Sequence, residues 1–157
     1  MSLMKHSTVV LLILILEVIS PFIAFPGEGI ESLEQLSSLS EDQIDIGRAC
    51  LLFAKEAYPG LNVDEYSGKL DQMVQEIQKF TGNNNDPVHR IRVLNTYLYQ
   101  DQGFHYDRED PYGQNLKNRY LNGLLDSKSG SCFTLPLLYL ALAQRLNYPV
   151  YPVSAPQ

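Results

Sequence analysis

The sequence predicts an α+β fold that is predominantly helical, and three observations carry that expectation. Apolar residues recur at helical spacing in three segments between Asp42 and Leu98. A nearly all-apolar helix follows Cys132, and a strand-like pattern is confined to Tyr148–Val153. The chain has 157 residues, is 45% hydrophobic and 19% charged, and is long enough to bury one core.

The elements follow in chain order. Lys5 and His6 precede an apolar run from Val9 to Leu16, broken by Glu17 and Pro21. A short basic region followed by an apolar one of this length has the form of an export signal, and it is short for a spanning helix. Residues 1–24 are therefore expected to be a signal peptide or an N-terminal anchor. Cleavage after Ala24 leaves Phe22 where a small residue is preferred, so both forms stay open. The location that follows is export, periplasmic or extracellular, with membrane attachment only through residues 9–23 if they are retained. Residues 25–41 read as a linker with a turn of helix around Leu33 and Leu36.

Residues 42–157 are expected to form one domain, with a helical part over 42–85 and a core over 86–157. From Asp42, the residues Ile46, Ala49, Cys50, Phe53 and Ala57 share one helical face, and Tyr58-Pro59-Gly60 stops it. A second helix spans Val63 to Phe80, ended by Gly82. The third opens at Asp86-Pro87, a side-chain cap followed by proline at the first helical position. Its expected buried face is Val88, Ile91, Leu94 and Leu98, with Tyr97 as a further candidate, and Gly103 closes it. Phe104 to Leu116 reads as an irregular loop, and Tyr120 to Leu125 as a short helix. Then a Gly-Ser turn leads into the apolar helix from Cys132 to Leu146, with Pro136 confined to its first turn. Pro149 and Pro152 limit pairing of the strand-like segment after it. A strand with no partner predicts that the fold continues beyond Gln157.

The formal net charge is -6, and no Lys/Arg cluster occurs, which argues against nucleic acid as a partner. No Cys/His/Asp grouping has metal-ligand spacing, and no cofactor motif is present, so none is expected. The only cysteines are Cys50 and Cys132. In an exported protein an even count raises the possibility of a bridge, although two widely separated cysteines are weak grounds for it.

Cys132 stands where chemistry would place a nucleophilic thiol. The first N–H groups of a helix lack internal partners, and the positive end of the dipole favours an anion there. The backbone around Ser131 and Phe133 is the candidate oxyanion-binding element. On position alone, however, a cysteine opening an apolar helix is more often a small hydrophobe.

Resemblance changes that balance. Residues 94–99 (Leu-Asn-Thr-Tyr-Leu-Tyr), Gly103-Phe104, residues 120–125 (Tyr-Leu-Asn-Gly-Leu-Leu), the run Gly130-Ser131-Cys132-Phe133-Thr134-Leu135-Pro136 and residues 143–150 (Ala-Gln-Arg-Leu-Asn-Tyr-Pro-Val) carry it. In these the chain resembles the transglutaminase-like, papain-like superfamily, in its bacterial SirB-type branch. The resemblance implies that the helix after Cys132 is the superfamily's core helix and that most of the sheet is missing. It also implies that Cys132 is the nucleophile for amide hydrolysis or acyl transfer on a peptide or protein substrate. A histidine and an Asp or Asn complete such a triad further along the chain, and Gln157 comes before the expected histidine. The fragment is accordingly expected to be inactive, the alternative being a non-catalytic exported scaffold.

Other residues offer weaker candidates. His6 lies in the export segment and His89 in the first turn of the third helix. His105 sits among the loop acids Asp107, Glu109 and Asp110, upstream of the cysteine. The acids read as a solvated turn. Seven tyrosines, among them Tyr112 and Tyr120, are candidates for a groove or for the core.

Overall fold

The computed structural model describes residues 29–153; residues 1–24, expected from the sequence to be a signal peptide or anchor, lie outside them. The described part is mainly helical. Helix α1 spans Leu33–Ser37, α2 Ile46–Ala57, α3 Val63–Thr81, α4 Pro87–Asn95, α5 Leu121–Ser127 and α6 Thr134–Arg145. Two-residue strands β1 (His105–Tyr106) and β2 (Ser129–Gly130) pair in parallel, His105 opposite Ser129 and Tyr106 opposite Gly130. No helix among the described residues is long and apolar enough to cross a membrane.

Most of these helices begin at a side-chain cap. Asp45 accepts from Arg48 N to start α2, Asn62 accepts from Glu65 N to start α3, and Asp86 accepts from His89 N to start α4. Each such cap is worth about 1 kcal/mol. Because Asp45 is the cap, α2 starts at Ile46 and not at Asp42; Glu41–Gln43 form a separate 3-10 turn. Gly82 ends α3 at φ 57, a conformation that disfavours a side chain.

The core is one cluster built largely of leucines, including Leu51, Leu52, Leu70, Leu94, Leu98, Leu124, Leu138 and Leu142. Fully burying one such side chain contributes about 1.5–3 kcal/mol. Helix α2 packs against both α3 and α6, and this determines which of its faces turns inward. The expected stripe of Ile46, Ala49, Cys50, Phe53 and Ala57 is corrected. Gly47, Arg48, Leu51, Leu52 and Ala54 are the buried residues, and Phe53 is 58% exposed. Arg48 can go inward because Asp64 meets its Nη1 at 2.8 Å and the Ile30 carbonyl its Nε at 2.6 Å.

The third helix also departs from its expected face. Val88 is exposed, whereas Leu94, Tyr97 and Leu98 are buried. A π-helical segment over Thr96–Asp101 follows α4, with Gln102 N bonded to Tyr97 O. The added residue per turn lets the adjacent Tyr97 and Leu98, both expected on this face, turn inward together.

Two further expectations are corrected. Tyr148–Val153 is not a strand: Tyr148 N returns to Ala143 O, Val150 N turns back to Tyr148 O, and the two prolines supply no donors. The strands that do form lie in stretches read as loop and turn. Two-residue strands are too short to display an alternating pattern.

Candidate active site

The site is organised by the first turn of α6. Ser131 Oγ accepts from the backbone N–H of Phe133 (3.3 Å) and of Thr134 (3.2 Å), while Thr134 Oγ1 accepts from Ser131 N at 3.0 Å. Leu135 N bonds to Ser131 O, so helical bonding reaches back to Ser131. The helix expected from Cys132 begins at Thr134, so Cys132 stands in the turn just before it, next to Ser131, whose oxygens hold that turn. The cysteine side chain is exposed, and its N–H has no hydrogen-bond partner among the described residues. The amides of Ser131 and Phe133, singled out in the sequence for oxyanion binding, are both engaged in the cap. The free donor beside the sulfur is that of Cys132 itself.

A buried polar relay holds this turn in place. Thr134 is fully buried, and its Oγ1 donates to Asn118 O at 3.2 Å. Asn118, only 2% exposed, directs its Nδ2 to Asp107 Oδ2 and Asp110 Oδ2, each at 2.8 Å. Asp110 also accepts from the backbone N–H of Gln114 and Asn115. Burial works to raise its pKa. The hydrogen bonds from Asn118, Asn115 and Gln114, with Arg119 nearby, outweigh it and hold the carboxyl below its ordinary value. Asp107 and Asp110 are thus structural acceptors for Asn118, where the sequence suggested only a solvated turn. Asp107 N also bonds to Gly130 O, fastening the same loop to β2.

Glycine is required at two positions around this turn. A Cβ on Gly130 would lie 2.6 Å from Leu124 Cδ1 and 2.9 Å from Thr134 Oγ1. A Cβ on Gly123 would lie 2.1 Å from the Lys117 carbonyl oxygen, so only glycine lets α5 approach the 3-10 turn Leu116–Arg119.

Cys132 opens into a cleft of about 440 Å³ whose walls include Pro111, Tyr112, Arg119, Tyr120 and Phe133. Tyr112 is 86% and Phe133 64% exposed. The Tyr120 ring is set edge-on against Tyr58 at 5.8 Å. Neither of the described histidines lines the cleft. His105 is exposed on β1 with Nδ1 2.9 Å from Gly103 O, and His89 is half-buried at the start of α4. Among the described residues no group of three or more His, Cys, Asp or Glu side chains could hold a metal ion.

The two cysteines are both free thiols in different surroundings. Cys50 packs against the core, and burial, then the Asp45 carboxylate, pushes its thiol up to about 11. The possible bridge between them is not formed.

The decisive comparison is with the family defined by a transglutaminase-like core, which matches residues 64–157. The chain belongs to the transglutaminase-like superfamily. The match takes in α3 through α6 and includes Cys132. A UPF0162 protein of Xylella fastidiosa is 24% identical over 125 residues, covering 77% of this chain and 42% of that protein. UPF0162 proteins of Pasteurella multocida and Haemophilus influenzae are each 30% identical, over 89 and 97 residues. These alignments cover 57% and 62% of this chain, and 33% and 36% of the two relatives. The chain therefore spans less than half the length of the curated relatives it matches. No solved structure matches it.

Within the transglutaminase-like domain, Tyr112 and Tyr120, two of the seven tyrosines offered by the sequence as groove candidates, line the cleft with Cys132, whereas Asn118, Thr134 and Arg119 were missed as parts of the same site. The one available signal was the Ser131-x-x-Thr134 spacing, which has the form of a reciprocal cap at a helix start. Asn118 lies in a segment without periodicity, and nothing local marks it as buried.

Proposed function

We propose that Cys132 is the nucleophile of a thiol-dependent amide hydrolase or acyl transferase acting on a peptide or protein side chain. In this reading Sγ attacks an amide carbonyl carbon, and the C–N bond breaks. The amine leaves with a proton, and the acyl group stays on sulfur as a thioester until water or a second amine takes it. The observation that carries the reading is the exposed Cys132 thiol in the turn that leads into α6, in a cleft and beside an unengaged N–H. That amide is suited to a developing oxyanion.

The reaction also needs a base for the thiol and an acid for the leaving amine. No histidine among the described residues lines the cleft, so these 157 residues alone are proposed to be inactive. That same observation favours a second reading, a non-catalytic scaffold that retains the cleft for binding. Iodoacetamide labelling of Cys132, in this chain and in the longest chain its gene encodes, separates the two. Catalysis predicts labelling in the longer chain well above that of glutathione, lost when a downstream histidine is replaced. A glutathione-like rate in both chains selects the scaffold.

Export through residues 1–24 is a further part of this proposal, supported by the basic and apolar pattern of Lys5 to Ile19. Cell fractionation with N-terminal sequencing tests it. Recovery of the intact N-terminus in the cytosolic fraction rejects export.

A further inference from the structure

We infer that the Cys132 cleft selects an acyl substrate that pairs an aromatic or large apolar side chain with a carboxylate, the carboxylate being received by Arg119. This rests on the reading of Cys132 as the acyl-accepting thiol. The cleft's walls are mostly apolar: Pro111, Tyr112, Tyr120 and Phe133 surround a space of about 440 Å³. Tyr112 and Phe133 both leave large apolar surfaces open to solvent, and both line the cleft that holds Cys132. Rings presented this way suit contact with an apolar group at low entropic cost.

Charge supplies the second half of the inference. Arg119 is the one charged side chain among the described residues that line the cleft. Its Nε donates to Gly113 O at 2.5 Å, which fixes the guanidinium plane against the loop. None of the ion pairs among the described residues involves Arg119. Its neighbouring acid, Asp110, already accepts from Gln114, Asn115 and Asn118. The two terminal nitrogens of Arg119 thus make no hydrogen bond within the described protein, and a guanidinium edge matches a carboxylate in two-point geometry. In a chain with a net charge of -6, a guanidinium that feels Asp110 only through space and keeps both terminal nitrogens open is a selective feature of the cleft.

The test compares bromoacetyl-phenylalanine, which carries a free carboxylate, with bromoacetyl-phenylalaninamide. In both probes Sγ displaces bromide, so the S–C bond forms, the C–Br bond breaks and the thiol proton passes to buffer. The acid is expected to label Cys132 about fivefold faster than the amide, the modest ratio fitting a solvent-exposed pair. Arg119→Gln should bring the ratio to about one, and Arg119→Lys should preserve part of it. Equal rates for acid and amide in the unaltered protein overturn the inference, as does a preference that survives Arg119→Gln. Binding of N-acetylphenylalanine to Cys132→Ser, followed by the NMR shift of Arg119 Nε–H, separates this inference from the nucleophile reading. A shift given by the acid and absent with its amide, together with an ordinary thiol rate at Cys132, retains the carboxylate pocket and removes the nucleophile. No shift with either compound overturns the pocket.

Discussion

Arg145, near the end of α6, holds Asp45, the cap of α2, in a two-point pair: Nε to Oδ2 at 2.8 Å and Nη2 to Oδ1 at 2.9 Å. Both side chains are almost wholly buried. The same guanidinium reaches Asp71 Oδ1 at 2.8 Å and two Ser67 oxygens at 3.0 Å, tying α2, α3 and α6 together. Next to it, Gln144 accepts from Ile46 N and donates to Ile44 O, both at 2.8 Å.

Removing one partner from a buried pair leaves the other charge uncompensated. Asp45→Ala is therefore expected to lower stability by about 3–5 kcal/mol, including the lost α2 cap. Asp71→Ala, at the more exposed end of the network, should cost about 1 kcal/mol. Urea unfolding checks the difference, and equal losses would contradict the central role given to Asp45.

Asn118 connects the loop acids to the turn that carries Cys132. Asn118→Ala removes the one buried donor shared by Asp107 and Asp110 and is expected to cost about 2 kcal/mol. It should also change the Cys132 labelling rate while Cys50 stays protected. A change in stability with no effect at Cys132 would separate the relay from the thiol.

The acid side of the stability profile follows from Asp110 and Glu76. Hydrogen bonds from Asn118, Asn115 and Gln114 outweigh burial at Asp110, and Tyr97 is the first cause at Glu76, assisted by Gln72; both carboxyls are held below their ordinary values of 3.8 and 4.5. A depressed carboxylate contributes stability above its unfolded pKa and loses it as pH falls through the folded one. The urea midpoint should hold steady down to about pH 5 and then decline. Asn118→Ala should weaken the Asp110 part of that decline, and an unaltered slope would reject the assignment.

Thiol chemistry should divide the two cysteines sharply. With its pKa pushed from 9.0 to about 11, Cys50 holds roughly a hundredfold less thiolate at pH 8 than an unperturbed thiol. One thiol, Cys132, should react promptly with a disulfide reagent in native protein, and the second only on unfolding. Prompt labelling that persists in Cys132→Ser would refute this.

Gly123→Ala is expected to cost at least about 2 kcal/mol, because the new methyl meets the Lys117 backbone rather than a movable side chain. A melting temperature within a degree or two of the parent would show that α5 and the 3-10 turn separate easily.

The sequence displayed its strongest local signals faithfully. Asp86-Pro87 begins a helix, Tyr58-Pro59 follows one, Gly82 ends α3, and Pro136 lies in the first turn of α6. These depend on backbone chemistry within a few residues. The inward face of α2 was not legible, because Ile46–Ala57 offers more than one apolar stripe and the choice was made by its neighbours α3 and α6. Gly47 illustrates the point: a Cβ there would lie 2.6 Å from Leu70 Cδ1, so its lack of a side chain matters only once the helices meet.

Cys132 was singled out by its place after a Gly-Ser turn together with the family resemblance, and its exposure could be read only from the structure. The cleft was not legible. Arg119, Tyr112 and Tyr120 come from stretches without periodicity, and they meet Cys132 because Asn118 bridges the loop acids to Thr134. The sequence by itself thus determined the capped and punctuated helix ends, such as Asp86-Pro87 and Gly82, since those depend on near-neighbour backbone bonds, while the expected starts at Asp42 and Cys132 moved to Ile46 and Thr134. Only the tertiary structure decided which faces are buried and what surrounds that sulfur, because those depend on contacts between residues far apart in the chain, such as Asp45 and Arg145.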